Sequence, residues 1–115
     1  MTTLYGISNC DTVKKARAWL DANGVAYRFV DFKREPPTPA LLARWCAAAG
    51  HDALVNRRGT TWRALPAATQ AAASDEPGAI AAMLAAPSLI RRPLLEHDGA
   101  VAVGFTAADY AARFA

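Results

Sequence analysis

Cys10, in the run Gly6-Ile7-Ser8-Asn9-Cys10-Asp11-Thr12-Val13-Lys14-Lys15, is the residue around which reaction chemistry can be organised. The thiolate is the species that attacks disulfides and oxyanions, and an ordinary thiol is only about 3% ionised at pH 7. Placement must supply the rest. A strand-like run, Thr2 to Tyr5, ends at Gly6, and helical spacing begins at Cys10. The sulfur is therefore expected where unpaired backbone N–H groups and the positive end of a helix dipole favour an anion. Lys14, one helical turn on, adds positive potential. Asp11 opposes it, although its carboxylate can meet a first-turn N–H. A dithiol motif would place a second cysteine three residues after the first, but Val13 stands there. A monothiol cycle follows, in which a small thiol such as glutathione completes turnover through a mixed disulfide.

The chain has two cysteines, Cys10 and Cys46, too few for a disulfide framework or a zinc site, and His51 and His97 form no ligand cluster with them. No metal and no bound cofactor is expected. Cys46 lies in Trp45-Cys46-Ala47-Ala48-Ala49 on an apolar helix face, which reads as core packing.

The elements that must position Cys10 can be read from periodicity. Cys10 to Asn23 carries Val13, Ala16, Trp19 and Leu20 on one side, with Gly24 placed to cap its end, and Tyr27 to Phe32 reads as a second strand. A right-handed crossover makes the two strands parallel neighbours. Thr38 with Pro39 opens a helix running to Gly50, with Leu41, Leu42, Trp45 and Cys46 on its apolar face. Further helices are expected near Thr61 to Leu65, Pro66 to Ala73 and Ala79 to Ala85. Leu94 to His97 and Val101 to Val103 flank Asp98-Gly99 as a hairpin, and Thr106 caps a last helix ending near Phe114, with Asp109 in a capping-box-like position. The expected class is α/β: a mixed sheet, β-α-β then β-β-α, in one domain spanning residues 1–115, with a helical insertion at about 36–87.

A chain of 115 residues suits one such domain. No apolar run approaches a membrane span, and Met1-Thr2-Thr3-Leu4-Tyr5 lacks the basic and apolar regions of a secretory signal, so a cytoplasmic location is expected. The net charge of +3 is too small to call for a nucleic-acid partner.

Three blocks carry a resemblance across essentially the whole chain: Tyr5 to Ala16, Asn56-Arg57-Arg58-Gly59-Thr60-Thr61-Trp62-Arg63, and Ile90-Arg91-Arg92-Pro93-Leu94-Leu95. Together they resemble the arsenate-reductase-like (ArsC/Spx) branch of the thioredoxin superfamily, nearest its YffB-type subgroup. The resemblance implies a thioredoxin-like fold and Cys10 as nucleophile. Arg58 and Arg92 would face the thiolate and its anionic substrate, and Pro93 would follow a cis peptide bond. Asn9, Asp11, Thr12 and Lys14 join them as expected substrate- or glutathione-binding residues. An arginine fork suits a carboxylate or oxyanion. Arg57, Arg63 and Arg91 read as solvated, Trp62 as a packing aromatic, and His51 and His97 as helix-end and hairpin residues.

Arsenate reductases of this fold resemble His-Asn-Pro-x-Cys before the nucleophile and carry a third substrate arginine near the last strand. Here the approach is Gly6-Ile7-Ser8-Asn9-Cys10, and Ala100-Val101-Ala102-Val103 has no arginine. A tetrahedral oxyanion thereby loses a charge and several donors. The expected activity is glutathione-dependent thiol reduction of a disulfide or other oxidised, anionic substrate. The alternatives are arsenate reduction with glutathione and glutaredoxin, or an Spx-type regulator docking on RNA polymerase.

Overall fold

In the computed structural model, which describes residues 1–115, strand β1 (Thr2–Gly6) leads into helix α1 (Asp11–Ala22) and on to strand β2 (Arg28–Asp31). β2 pairs with β1 in parallel, Leu4 opposite Phe29 and Gly6 opposite Asp31. β3 (Leu94–His97) lies antiparallel on the other side of β1, with Leu95 opposite Leu4 and Leu94 opposite Tyr5. β4 (Ala100–Val103) completes the sheet in the order β2-β1-β3-β4. Helix α7 (Ala107–Arg113) closes the chain.

Pleat alternation puts Leu4, Leu95 and Ala102 on one face, where they form a core with Ala16 and Leu20 of α1 and Tyr110 of α7. α1 is amphipathic because Val13, Ala16 and Leu20 recur at helical spacing, and all three are fully buried. It stops through a Schellman pair: Val25 N–H donates to Leu20 O and Gly24 N–H to Asp21 O, with Gly24 at φ +67°. The β3–β4 turn has positive φ at both Asp98 and Gly99, the left-handed pair that a two-residue hairpin requires. Thr106 Oγ1 accepts from Asp109 N–H to cap α7, but the Asp109 carboxylate accepts from Arg113 Nε at 2.9 Å. The sequence pattern suggested a reciprocal box; the arginine one turn on takes that carboxylate instead.

Residues 36–91 form a second compact unit, and residues 1–35 with 92–115 form the first. The second unit holds α2 (Pro39–Ala49), α3 (His51–Leu54), α4 (Thr60–Ala64), α5 (Ala67–Ala72), α6 (Glu76–Ala85) and a 3₁₀ turn at Pro87–Leu89. Thr38 caps α2 by accepting from Leu41 N–H, with Pro39 at its first position. The core of this unit gathers Leu42, Trp45, Cys46, Leu54, Met83, Leu89 and Ile90, all buried. A bridge pairs Val55, after α3, with Ile90, near the unit's end, flanked by Asn56 N–H to Leu89 O and Arg91 N–H to Leu54 O, each 2.8 Å. The start of α6 differs from the sequence expectation by three residues. α6 starts at Glu76 rather than Ala79, because Asp75 accepts from Gly78 N–H and Pro77 sits in the first turn, where its missing N–H costs nothing. α3 and the 3₁₀ turn, too short to show periodicity, were not expected.

Candidate active site

Cys10 occupies the N-cap of α1 in an extended conformation, φ −99° and ψ 127°, and its side chain makes no capping hydrogen bond. Its carbonyl accepts the first helical bond, from Lys14 N–H at 2.9 Å. The thiol is partly exposed. Cys10 is a half-exposed residue at the N-terminus of a twelve-residue helix, with its side chain left free by the cap. Val13, in the position a second thiol would need, is fully buried behind it.

The placement of Cys10 is fixed by contact between β1 and α1. Gly6 ends β1, and a Cβ there would lie 2.7 Å from Val13 Cγ2. Only glycine lets the first turn of α1 come this close to the strand. Asn9, Asp11, Thr12 and Lys14 surround Cys10 in sequence and are exposed.

Register brings a second segment to the same end of the sheet. Leu94 pairs with Tyr5, so the chain just before β3 runs beside the chain just after it at Gly6. That segment is Arg92-Pro93, joined by a cis peptide bond; Arg92 is half-buried and Pro93 buried. Pro93 O accepts from Gly104 N–H at 2.9 Å, and Phe32 N–H donates to Gly6 O at 2.8 Å. The ends of all four strands thus meet where α1 begins. This is the carboxyl end of the parallel pair, where ligands bind in open α/β sheets.

Arg58 belongs to the second unit. It is exposed, its N–H donates to Asn56 Oδ1 at 3.0 Å, and its carbonyl accepts from Arg63 Nη1 at 2.8 Å. The structure corrects one of its neighbours. Arg57, expected to be solvated, pairs with Asp52 at 3.1 Å, donates to Ala73 O at 2.9 Å and lies over the Trp62 ring at 5.2 Å. Arg63 is exposed, as expected, with Nη1 donating to Arg58 O. These partners are 5 to 16 residues away in the chain, so no local pattern announces them. Arg91 is exposed. Cys46 is buried, and burial, helped by Glu76, pushes its thiol above the ordinary value.

Sequence reasoning also missed a cleft of about 280 Å³ lined by Ser8, Phe29, Asp31, Arg34 and Glu35. It joins the loop before Cys10 to the loop after β2, which adjoin only once the two strands pair. No group of three acidic, histidine or cysteine side chains is arranged to hold a metal, and no helix is long and apolar enough to cross a membrane.

Residues 5–113 match the model of the ArsC family. The chain belongs to the ArsC family. An uncharacterized Haemophilus influenzae protein is 37% identical over 115 residues, the whole of both chains. The solved structure of the YFFB (PA3664) protein is 50% identical, covers all of both chains and superposes with a TM-score of 0.95. An arsenate reductase (ArsC) related protein from Brucella melitensis is 45% identical over 98% of this chain and 93% of its own, with a TM-score of 0.77. The fold of this ArsC-family chain is accordingly thioredoxin-like, and its similarity to the YFFB protein agrees with a YffB-type subgroup.

Proposed function

We propose that this ArsC-family protein is a monothiol, glutathione-dependent thiol reductase with Cys10 as its nucleophile. The observation that carries the reading is the N-cap itself: a half-exposed thiol, uncommitted to its helix, with fully buried Val13 in the resolving position. The Cys10 thiolate attacks one sulfur of a disulfide, forming a Cys10–S–S–R bond as the other sulfur leaves as a thiolate. A glutathione thiolate then attacks the mixed disulfide. When the substrate is a glutathione mixed disulfide and R is its glutathionyl group, the substrate leaves as the thiolate in the first step, and one free glutathione completes the cycle, giving glutathione disulfide and the regenerated Cys10 thiolate. Lys14 and the first-turn N–H groups stabilise negative charge at the sulfur, while Arg92 serves an anionic group of substrate or glutathione. Asn9, Asp11 and Thr12 frame the entrance. Arsenate is disfavoured as a substrate because β4, Ala100–Val103, offers no arginine.

The test is incubation with glutathione disulfide followed by mass spectrometry and a glutathione-coupled turnover assay. A single glutathione adduct on Cys10, with adduct and turnover both lost in Cys10→Ser, is the expected result. Turnover surviving in Cys10→Ser would remove the reading.

A further inference from the structure

The cleft formed by Ser8, Phe29, Asp31, Arg34 and Glu35 lies outside the residues assigned above, and it is chemically uneven. Both Glu35 carboxylate oxygens face Arg28 Nη2, at 3.1 and 3.4 Å, and Asp31 Oδ1 accepts from Lys33 N–H at 2.9 Å. The loop is held in place by Arg34 N–H and Glu35 N–H, which donate to Asp31 O at 3.0 and 2.8 Å. The Arg34 guanidinium and the Ser8 hydroxyl, by contrast, make no hydrogen bond and no ion pair. Phe29 supplies an apolar wall, with the Arg17 guanidinium stacked on its ring at 4.2 Å.

A simple anion entering here would gain Arg34 but meet the fields of Asp31 and Glu35. A zwitterion meets no such conflict, since its carboxylate can take Arg34 and Ser8 while its ammonium faces Asp31. Distance narrows the ligand further. Ser8 precedes Cys10 by two residues, which span at most about 7 Å of chain, and the five-bond arm from a cysteinyl α-carbon to the α-carbon of a γ-glutamyl group extends about 6 Å. A γ-glutamyl thiol whose sulfur is joined to Cys10 can therefore lay its free amino-acid end in this cleft.

We infer that this cleft is the subsite for the zwitterionic α-amino-acid end of a γ-glutamyl thiol, with Arg34 and Ser8 holding its carboxylate and Asp31 facing its ammonium. The inference rests on the glutathione reading of Cys10 and adds where selectivity for the reducing thiol resides.

S-methylglutathione, which binds without exchanging, provides the direct probe. Titrated into the full-length protein, it is expected to shift the amide resonances of Ser8, Phe29, Asp31 and Arg34, and Arg34→Glu is expected to weaken it about fivefold. Arg34 is exposed and has no partner to lose, so the variant should remain folded. In turnover, Arg34→Glu should raise KM for glutathione about fivefold with kcat unchanged. With 2-mercaptoethanol, which has no amino-acid end, it should have no effect. Unshifted cleft resonances, equal affinity in Arg34→Glu, or an equal KM effect with both thiols would overturn the inference. The two readings fail differently: binding of S-methylglutathione without any Cys10 adduct from glutathione disulfide sinks the Cys10 chemistry. An adduct forming equally fast in Arg34→Glu sinks the cleft.

Discussion

Gly6→Ala should damage both stability and the placement of Cys10, because it adds one methyl where β1 and α1 are closest. The new Cβ would sit 2.7 Å from Val13 Cγ2, and ordinary contact begins near 3.4 Å, so something must yield by about 0.7 Å. Val13 cannot easily turn away. It is β-branched, held near one χ1 rotamer in a helix, and fully buried. The strain must therefore pass to the first turn of α1, which Cys10 caps. Overpacking of this kind costs about 1–3 kcal/mol, a large share of a small domain's stability. Val13→Ala alone should cost about 2 kcal/mol by leaving space in the core. In the double variant the added methyl occupies that space, so the total should fall at least 1 kcal/mol short of the sum of the single costs. Urea unfolding measures the stabilities, and iodoacetamide labelling under native conditions reports the Cys10 environment. Gly6→Ala should change the labelling rate, and Val13→Ala should bring it back toward wild type. A loss below about 0.5 kcal/mol, or strictly additive costs, would refute the claim that this contact positions the thiol.

Three further outcomes are expected. The Tyr110 hydroxyl is buried without a hydrogen-bond partner, so Tyr110→Phe should stabilise the protein by about 1 kcal/mol at pH 7 in urea unfolding. Burial pushes that phenol above its ordinary range, with Asp109 adding to the effect, so the folded state keeps a proton that the unfolded state releases above about pH 10. Stability from this group is thus present below pH 10 and lost above it, by at most about 1.4 kcal/mol per pH unit, and Tyr110→Phe should remove that part of the alkaline slope. Arg57→Ala should cost about 2 kcal/mol by calorimetry or urea unfolding, mostly from the lost charged bond to Ala73 O, while Asp52→Ala, removing only an exposed partner, should cost under 0.5 kcal/mol. Cys46, buried and raised, should resist a thiol reagent at least about 100-fold more than Cys10 until urea unfolds the chain; equal labelling would refute its place in the core.

What could be read from the sequence was what local rules determine. The change from strand to helix at Gly6 and Cys10, the Asp98-Gly99 turn and the Thr38 and Thr106 caps each depend on residues within one turn of one another, and each is present. Asp75-Glu76-Pro77-Gly78 misled because proline and glycine usually punctuate, whereas here they occupy the opening turn of α6. Arg57 was misread for a different reason. Its role depends on Asp52, Trp62 and Ala73, which only tertiary packing brings to it. The same holds at the site: Cys10 could be found from its immediate neighbours, but the Arg34 cleft exists only because Gly6 pairs with Asp31 across β1 and β2.

That difference has a consequence for how the site can be altered. The nucleophile is held by a buried interlock, Gly6 against Val13, in which a single methyl disturbs both strand and helix. In the loop after β2, Arg34 N–H and Glu35 N–H donate to Asp31 O and Phe32 anchors on Gly6 O, while the Arg34 side chain is exposed. Substitutions at Arg34 can therefore change which thiol or anion is accepted without moving Cys10. Substitutions at Gly6 or Val13 change every reaction of Cys10 together. On the proposed mechanism, the kinetic signature follows: variants of the β2 loop should alter KM and the choice of thiol, while variants of the β1–α1 contact should lower kcat for every thiol alike.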